Sequence, residues 1–242
     1  MRRHAFITGG SRGIGAAIAR AFLRDGHEVI IGSRHREQMD ELSQAEWVSF
    51  DAFGDVLKTV HVLAERPISI LVNNVGGGGR WGSADPLETH PDVWQQVYQK
   101  NAGAAAHVTM ALIPSMLQLG WGRVVTISSI HGRSAGGRPW FSMAKAAEIA
   151  LMASCAQQRS WVRRGITFNT VCPGSVMIPD TGWDHLRREQ PSQYETILDR
   201  LAMNRLGTPD EVASVVRFLC SDEASWVNGS TLVVDGGESG AW

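Results

Sequence analysis

Thr8-Gly9-Gly10-Ser11-Arg12-Gly13-Ile14-Gly15 decides the fold of this 242-residue chain. The stretch leaves a β-rich run, Ala5–Thr8, and enters a helix-like one in which Ile14, Ile18, Ala21 and Phe22 share a face. A glycine-rich turn carries meaning only in that strand-to-helix setting. Glycine there admits positive φ and leaves room for a pyrophosphate to approach the backbone. The helix start adds free N–H groups and a partial positive charge that attract the anion. Gly9, Ser11, Arg12, Gly13, Ile14 and Gly15 are therefore the expected phosphate-binding residues. The competing reading is a turn that needs glycine for steric reasons alone.

Outward from this turn, short β-rich runs alternate with helix-like segments, the pattern of a parallel sheet covered on both faces. The expected strands are Ala5–Thr8, Glu28–Gly32, Trp47–Phe50, Ile68–Val72, Arg123–Ile127, Thr167–Val171 and Thr231–Val234. A helical stretch from Pro91 to about Leu119 is expected to kink at Pro114, and another follows Pro139 to about Arg163. No linker or repeat divides the chain, so 1–242 reads as one doubly wound α/β domain with about seven mainly parallel strands. Residues 173–209 show no long period and read as a mobile substrate-side segment.

The composition, 43% hydrophobic and 19% charged, supports a sizeable core and excludes a disordered or fibrous chain. With 23 basic against 24 acidic residues there is no basic excess, and nucleic acid is not an expected partner. The three cysteines, Cys155, Cys172 and Cys220, lack metal-ligand spacing and read as buried small hydrophobes, so no metal is expected. The N-terminus lacks a signal-peptide pattern. No apolar run approaches the roughly 18–20 residues that span a bilayer. The expectation is a cytoplasmic protein with no membrane partner.

Several motifs occur in one order along almost the whole chain. Thr8-Gly9-x-x-x-Gly13-x-Gly15 comes first, followed by Asn73-Asn74-Val75-Gly76, Asn101 and Ile127-Ser128-Ser129. Lys145, Asn169-Thr170-Val171-Cys172-Pro173-Gly174 and Val234-Asp235-Gly236-Gly237 complete the series. Together they resemble the short-chain dehydrogenase/reductase family. The resemblance implies a Rossmann-type fold, a nicotinamide cofactor and interconversion of a carbonyl with an alcohol. Asn74, Gly76, Pro173 and Gly174 would border the cofactor, and Asp51 matches the residue beside the adenine. The second strand ends in Ile31-Gly32-Ser33-Arg34, with no acid to accept from a ribose 2′-hydroxyl. Arg34, beside Ser33 and facing Arg12, presents donors that suit a 2′-phosphate. NADP(H) is thus expected over NAD(H); the competing reading leaves Arg34 and Arg36 as solvated loop charges.

The family's catalytic residues map onto Asn101, Ser129 and Lys145. The tyrosine of its Tyr-x-x-x-Lys motif falls on Phe141, which has no proton to donate. Four accounts remain open. The first is an introduced tyrosine-to-phenylalanine change, and the second is another acid, for which His131 is placed. The third is slow turnover through water relayed by Ser129 and Lys145. The fourth is a non-catalytic cofactor-binding scaffold. A further departure places Ile178 where the family commonly has a threonine; Thr181 and backbone groups are both open as substitutes, and neither is assigned.

The resemblance places Trp81, Trp140 and Trp183 in segments that border the mouth for a small-molecule carbonyl or alcohol substrate; the competing reading has these tryptophans bracing loops. His131, Arg133 and Arg138 would add contacts for an anionic or hydroxylated group. Tyr98 reads as helix packing. The helical stretches Pro91–Leu119 and Pro139–Arg163 resemble those that pair subunits in the family, and the small residues Ala102 and Ala104–Ala106 suit close helix packing, so the resemblance implies a homodimer or homotetramer. The tail 236–242 would then lie at an interface.

Overall fold

The computed structural model describes residues 2–36, 42–54, 56–134 and 136–240, so residues 241–242 of the expected interface tail lie outside the described residues. Seven strands form one parallel sheet: β1 (His4–Thr8), β2 (Glu28–Ser33), β3 (Glu46–Ser49), β4 (Ile68–Asn73), β5 (Gly122–Ile127), β6 (Ile166–Pro173) and β7 (Thr231–Val234). Their order is β3-β2-β1-β4-β5-β6-β7. Each expected strand is present within about two residues of its expected ends. Alternation along the strands fills two cores. Ala5 and Ile7 face α1 (Gly13–Arg24) and α9 (Pro209–Leu219), while Phe6 faces the other side. There α2 (Val56–Ala64), α4 (Ala104–Leu119) and α5 (Pro139–Cys155) cover the sheet.

The stretch from Pro91 is divided differently from the sequence expectation. α3 (Pro91–Tyr98) passes into α4 through a π-helical turn at Gln99–Gly103, and α4 continues through Pro114. Pro114 leaves the carbonyl of Met110 without its N–H partner, on a residue that is itself 43% exposed. This 91–119 path is long and apolar enough to cross a membrane by composition, contrary to the sequence expectation. More than half of its apolar window is buried against the sheet, as in a core helix. Ala102, Ala104 and Ala105 are buried within the chain, so the small-residue face serves packing inside one subunit. Tyr98, expected to pack, is 46% exposed.

Residues 173–209, where the sequence shows no long period, contain regular structure. They hold two helices, α7 (Gly182–Glu189) and α8 (Pro191–Leu198), each eight residues long and too short to show a clear period. A parallel bridge between Val176 and Gly207 ties the two ends of the segment together. α6 (Arg159–Val162) is a single turn between α5 and β6. The three cysteines are free and buried, as expected.

The β1–β4 junction is stapled by Thr8. Its Oγ1 accepts from Asn74 N and Val75 N, both at 3.0 Å, and Asn74 Nδ2 donates back to Thr8 O (3.0 Å) and Gly9 O (2.9 Å). Thr8→Val keeps the shape but leaves both amides unpaired. The expected loss is about 1–3 kcal/mol, read as a lower urea midpoint with an unchanged m-value.

Candidate functional site

Strand order reverses between β1 and β4, and the chain segments leaving their C-terminal ends diverge. A cleft of about 610 Å³ opens there. Gly9, Ser11, Arg12, Gly13 and Ile14 line it. Gly9 and Gly13 have φ of 67° and 56°, a region that side chains disfavour. A Cβ on Gly13 would also press on Ile178, which closes over the turn. Gly15 is not on the wall. A Cβ there would meet the carbonyl of Gly9 and lie 2.6 Å from Asn74 Nδ2, so Gly15 serves packing of helix against turn.

Ser33, Arg34 and Asp51 form the part of the wall reached from β2 and β3. Ser33 Oγ donates to His35 O (2.8 Å) and accepts from Trp47 Nε1 (2.9 Å), so this hydroxyl is engaged within the protein. His35, Phe53 and Lys100 line the same wall, and the sequence reading had missed all three. Lys100 reports the local charge. Burial holds its ammonium below the usual lysine range, and the positive charges of Arg34 and Arg12 push it further against the pull of Asp51. Lys100 also sits over the Trp81 ring, 4.7 Å from its centroid. Only adjacency to Asn101 in a helical run could have signalled it.

At the other end, Asn101 lies within the π-helical turn and is fully buried. Its Nδ2 donates to Val97 O (2.7 Å) and Gly77 O (2.9 Å), and its Oδ1 accepts from Gly77 N (3.1 Å). Asn74 and Gly76 line the cleft beside it. A Cβ on Gly76 would lie 2.6 Å from Asn101 Oδ1 and 3.1 Å from Lys145 Nζ, so the absence of a side chain lets both approach. Lys145 lines the cleft and is nearly buried. Its Nζ donates to Ile127 O (3.0 Å) and to both carboxylate oxygens of Glu148, at 3.0 and 3.3 Å. Glu148 is a second group the sequence reading missed; its signal was a lone carboxylate in the apolar run Ala146–Met152.

Ser129 caps a short 3-10 turn, Ile130–Gly132, with its Oγ accepting from His131 N (3.2 Å). It is half-buried, beside the wall rather than on it. Ser128 is on the wall, yet its Oγ donates away, to Lys145 O (2.8 Å), as strand alternation predicts. Phe141 lines the cleft. Its ring lies against Gly79 and meets His131 edge-on, with centroids 6.3 Å apart. The Nδ1 of His131 is buried and has no hydrogen-bond partner among the described residues.

Other expected residues are placed elsewhere. Trp140 is fully buried against Trp94, Val97 and Ala144, so it is a core residue rather than a substrate contact. Arg138 donates to the carbonyls of Trp81 (2.7 Å) and Gly82 (2.6 Å) and pins that loop. Pro173 and Gly174 are off the wall. Ser175 Oγ donates to Glu238 (2.7 Å), and a Cβ on Gly174 would strike Glu238 and Asp235. The Pro-Gly and Asp-Gly-Gly stretches thus clasp each other behind the cleft. Ile178 and Thr181 do reach it.

A family model described as Enoyl-(Acyl carrier protein) reductase matches residues 9–239. The chain is 34% identical to an acetoacetyl-CoA reductase of Rhizobium meliloti (strain 1021), over 98% of this chain and 99% of that protein. Among solved structures, it resembles a protein from Beutenbergia cavernae described as an NAD(P)-dependent gluconate 5-dehydrogenase, with NADP bound at low occupancy. That match has a TM-score of 0.88 and 31% identity, over 98% and 96% of the two chains. A single-residue variant of the actinorhodin polyketide ketoreductase, with NADPH, matches with a TM-score of 0.89 and 27% identity, over 99% and 98%.

Gly76→Ala is expected to cost about 1–3 kcal/mol through overpacking against Asn101. In a double-mutant cycle with Asn101→Ala, the combined loss should be smaller than the sum, because the clashing amide is gone. Urea denaturation of the four proteins checks this.

Proposed function

This chain belongs to the short-chain dehydrogenase/reductase family of oxidoreductases, and we propose that it interconverts a carbonyl and an alcohol with NADP(H) preferred over NAD(H). The observation that carries the reading is one continuous cleft. It joins the positive-φ glycine turn, the cations Arg12, Arg34 and Lys100, and the buried Lys145. A dinucleotide bearing a 2′-phosphate fits this donor set. Gly9, Gly13 and the start of α1 would hold the pyrophosphate, Arg12 and Arg34 the 2′-phosphate, and Asp51 would lie by the adenine. When bound, NADPH supplies a hydride to the carbonyl carbon.

The chain's own residues orient the substrate and manage the proton. Ser129 Oγ already accepts from His131 N, which leaves its O–H to donate to the carbonyl oxygen. Lys145 would hold the nicotinamide ribose, and Asn101 would support it through water. Phe141 occupies the tyrosine position without a donor. A positioned general acid is worth about 10²–10⁴-fold, so this residue favours slow turnover and also motivates the rival reading, a non-catalytic cofactor-binding protein. We further propose a homodimer or homotetramer located in the cytoplasm.

Titration of this protein with each cofactor should show tighter binding of NADPH than NADH, and Arg34→Ala should remove the preference. NADPH consumption against ketones, keto-sugars and quinones should show turnover by this chain and faster turnover by Phe141→Tyr. Activity confined to the tyrosine form would favour the non-catalytic reading. Gel filtration should give a multiple of 26.4 kDa, and a single-chain mass would refute the oligomer.

A further inference from the structure

Glu148 has no part in the reductase chemistry described so far, yet it is the most deeply buried carboxylate against the site. α5 buries Ala144, Lys145, Glu148, Met152 and Cys155 along one side, and Glu148 is 1% exposed. A carboxylate placed there meets a steep desolvation cost unless it is paired or protonated. Its partner is Lys145, three residues earlier, whose Nζ reaches both of its oxygens. Lys145 is also the cation beside Phe141, with Nζ 5.8 Å from the ring centroid. One ammonium therefore touches the buried carboxyl on one side and the cleft on the other.

We propose that Glu148 stores the proton that Lys145 passes into the cleft, so that the buried Lys145–Glu148 couple performs the acid–base work of the missing phenol. The proposal rests on the oxidoreductase reading. A phenol beside an ammonium and a carboxyl beside an ammonium are equivalent in proton count: each unit gives up one proton and ends as an ion pair. In reduction, the carbonyl carbon gains the hydride supplied by NADPH and the C=O π pair moves onto oxygen. That oxygen takes a proton from Lys145 Nζ, breaking an N–H bond and forming an O–H bond. Lys145 then takes the Glu148 proton, leaving carboxylate against ammonium, and solvent reloads Glu148 between turnovers. Alcohol oxidation runs the same transfers backwards. Lys145 is the catalytic member, and Glu148 is a positioning residue that acts through it.

The surroundings suit a proton exchanged near neutrality. Burial pushes the Glu148 carboxyl up to about 7, against the pull of Lys145 and of the Ser128 hydroxyl from the end of β5. From β6, the Cys172 thiol is raised by burial and lies against the same Ser128. Lys145 acts on Lys100 across the cleft, and Arg133 on Cys172. A carboxyl of this kind is loaded below about pH 7 and empty above it, so reduction should slow as pH rises through that value.

The test has two arms. In cofactor-free protein carrying [5-¹³C]glutamate, one carboxyl resonance should titrate near pH 7 and be missing from Glu148→Gln. This arm needs no substrate, and its wild-type spectrum stands even if the variant folds poorly. All glutamates titrating in the ordinary range near about 4–5 would overturn the proposal. In the second arm, Glu148→Gln should lose about 10²–10⁴-fold in kcat while NADPH still binds, and the inflection near pH 7 should vanish. Glu148→Asp should recover part of the rate. A glutamine variant with the wild-type rate and pH profile would overturn this proposal alone. A wild type that binds NADPH but reduces nothing in the panel would overturn the reductase reading with it.

Discussion

The site depends on where β1 finds its second neighbour. β1 pairs with β2 on one side and with β4 on the other, so the segments leaving β1 and β4 must part at their C-terminal ends. That parting exposes backbone amides at the rim of a hydrophobic sheet, and Thr8 Oγ1 satisfies two of them at once. With the rim fixed, the glycine turn is held open on one side. The Asn74–Gly77 segment is held against Asn101 on the other.

Charge is the second organising term. The chain as a whole is close to neutral, yet Arg12, Arg34, Lys100 and Lys145 converge on one cleft. Their mutual repulsion is tolerable only with compensation. Asp51 supplies some of it at one end. An anionic ligand would supply the rest, which is why the surplus itself points to phosphate groups.

The sheet was legible because parallel strands buried on both faces read as continuous apolar runs, and each run lay between helical periods. The glycine turn was legible because its backbone demands are local: Gly9 and Gly13 need positive φ whatever surrounds them. Lys100 and Glu148 left only weak traces, adjacency to Asn101 and a lone carboxylate in an apolar run, because a charge in a helix does not say which strand ends it will meet. Trp140 illustrates the same limit: a resemblance in segment position does not say which side of α5 faces the core, and the core is where Trp140 lies. Pro173 and Gly174 form a recognisable motif, but their contacts lie with Asp235 and Glu238, some sixty residues away. The helices at 182–198 were lost because two turns are too few to establish a period.

The π-helical turn at Gln99–Gly103 has a geometric consequence for the long path on either side of it. One extra residue in a turn advances the helical phase by about 100°. The row of side chains that α3 directs at α5 is therefore out of step with the row that α4 directs at the sheet. A single continuous helix would have to satisfy both neighbours with one stripe. The inserted residue works like a splice between two independently rotated rods, with Asn101 set into the joint. A one-residue deletion within 99–103 would join the rods in phase, turning one of the two stripes toward solvent and carrying the asparagine with it.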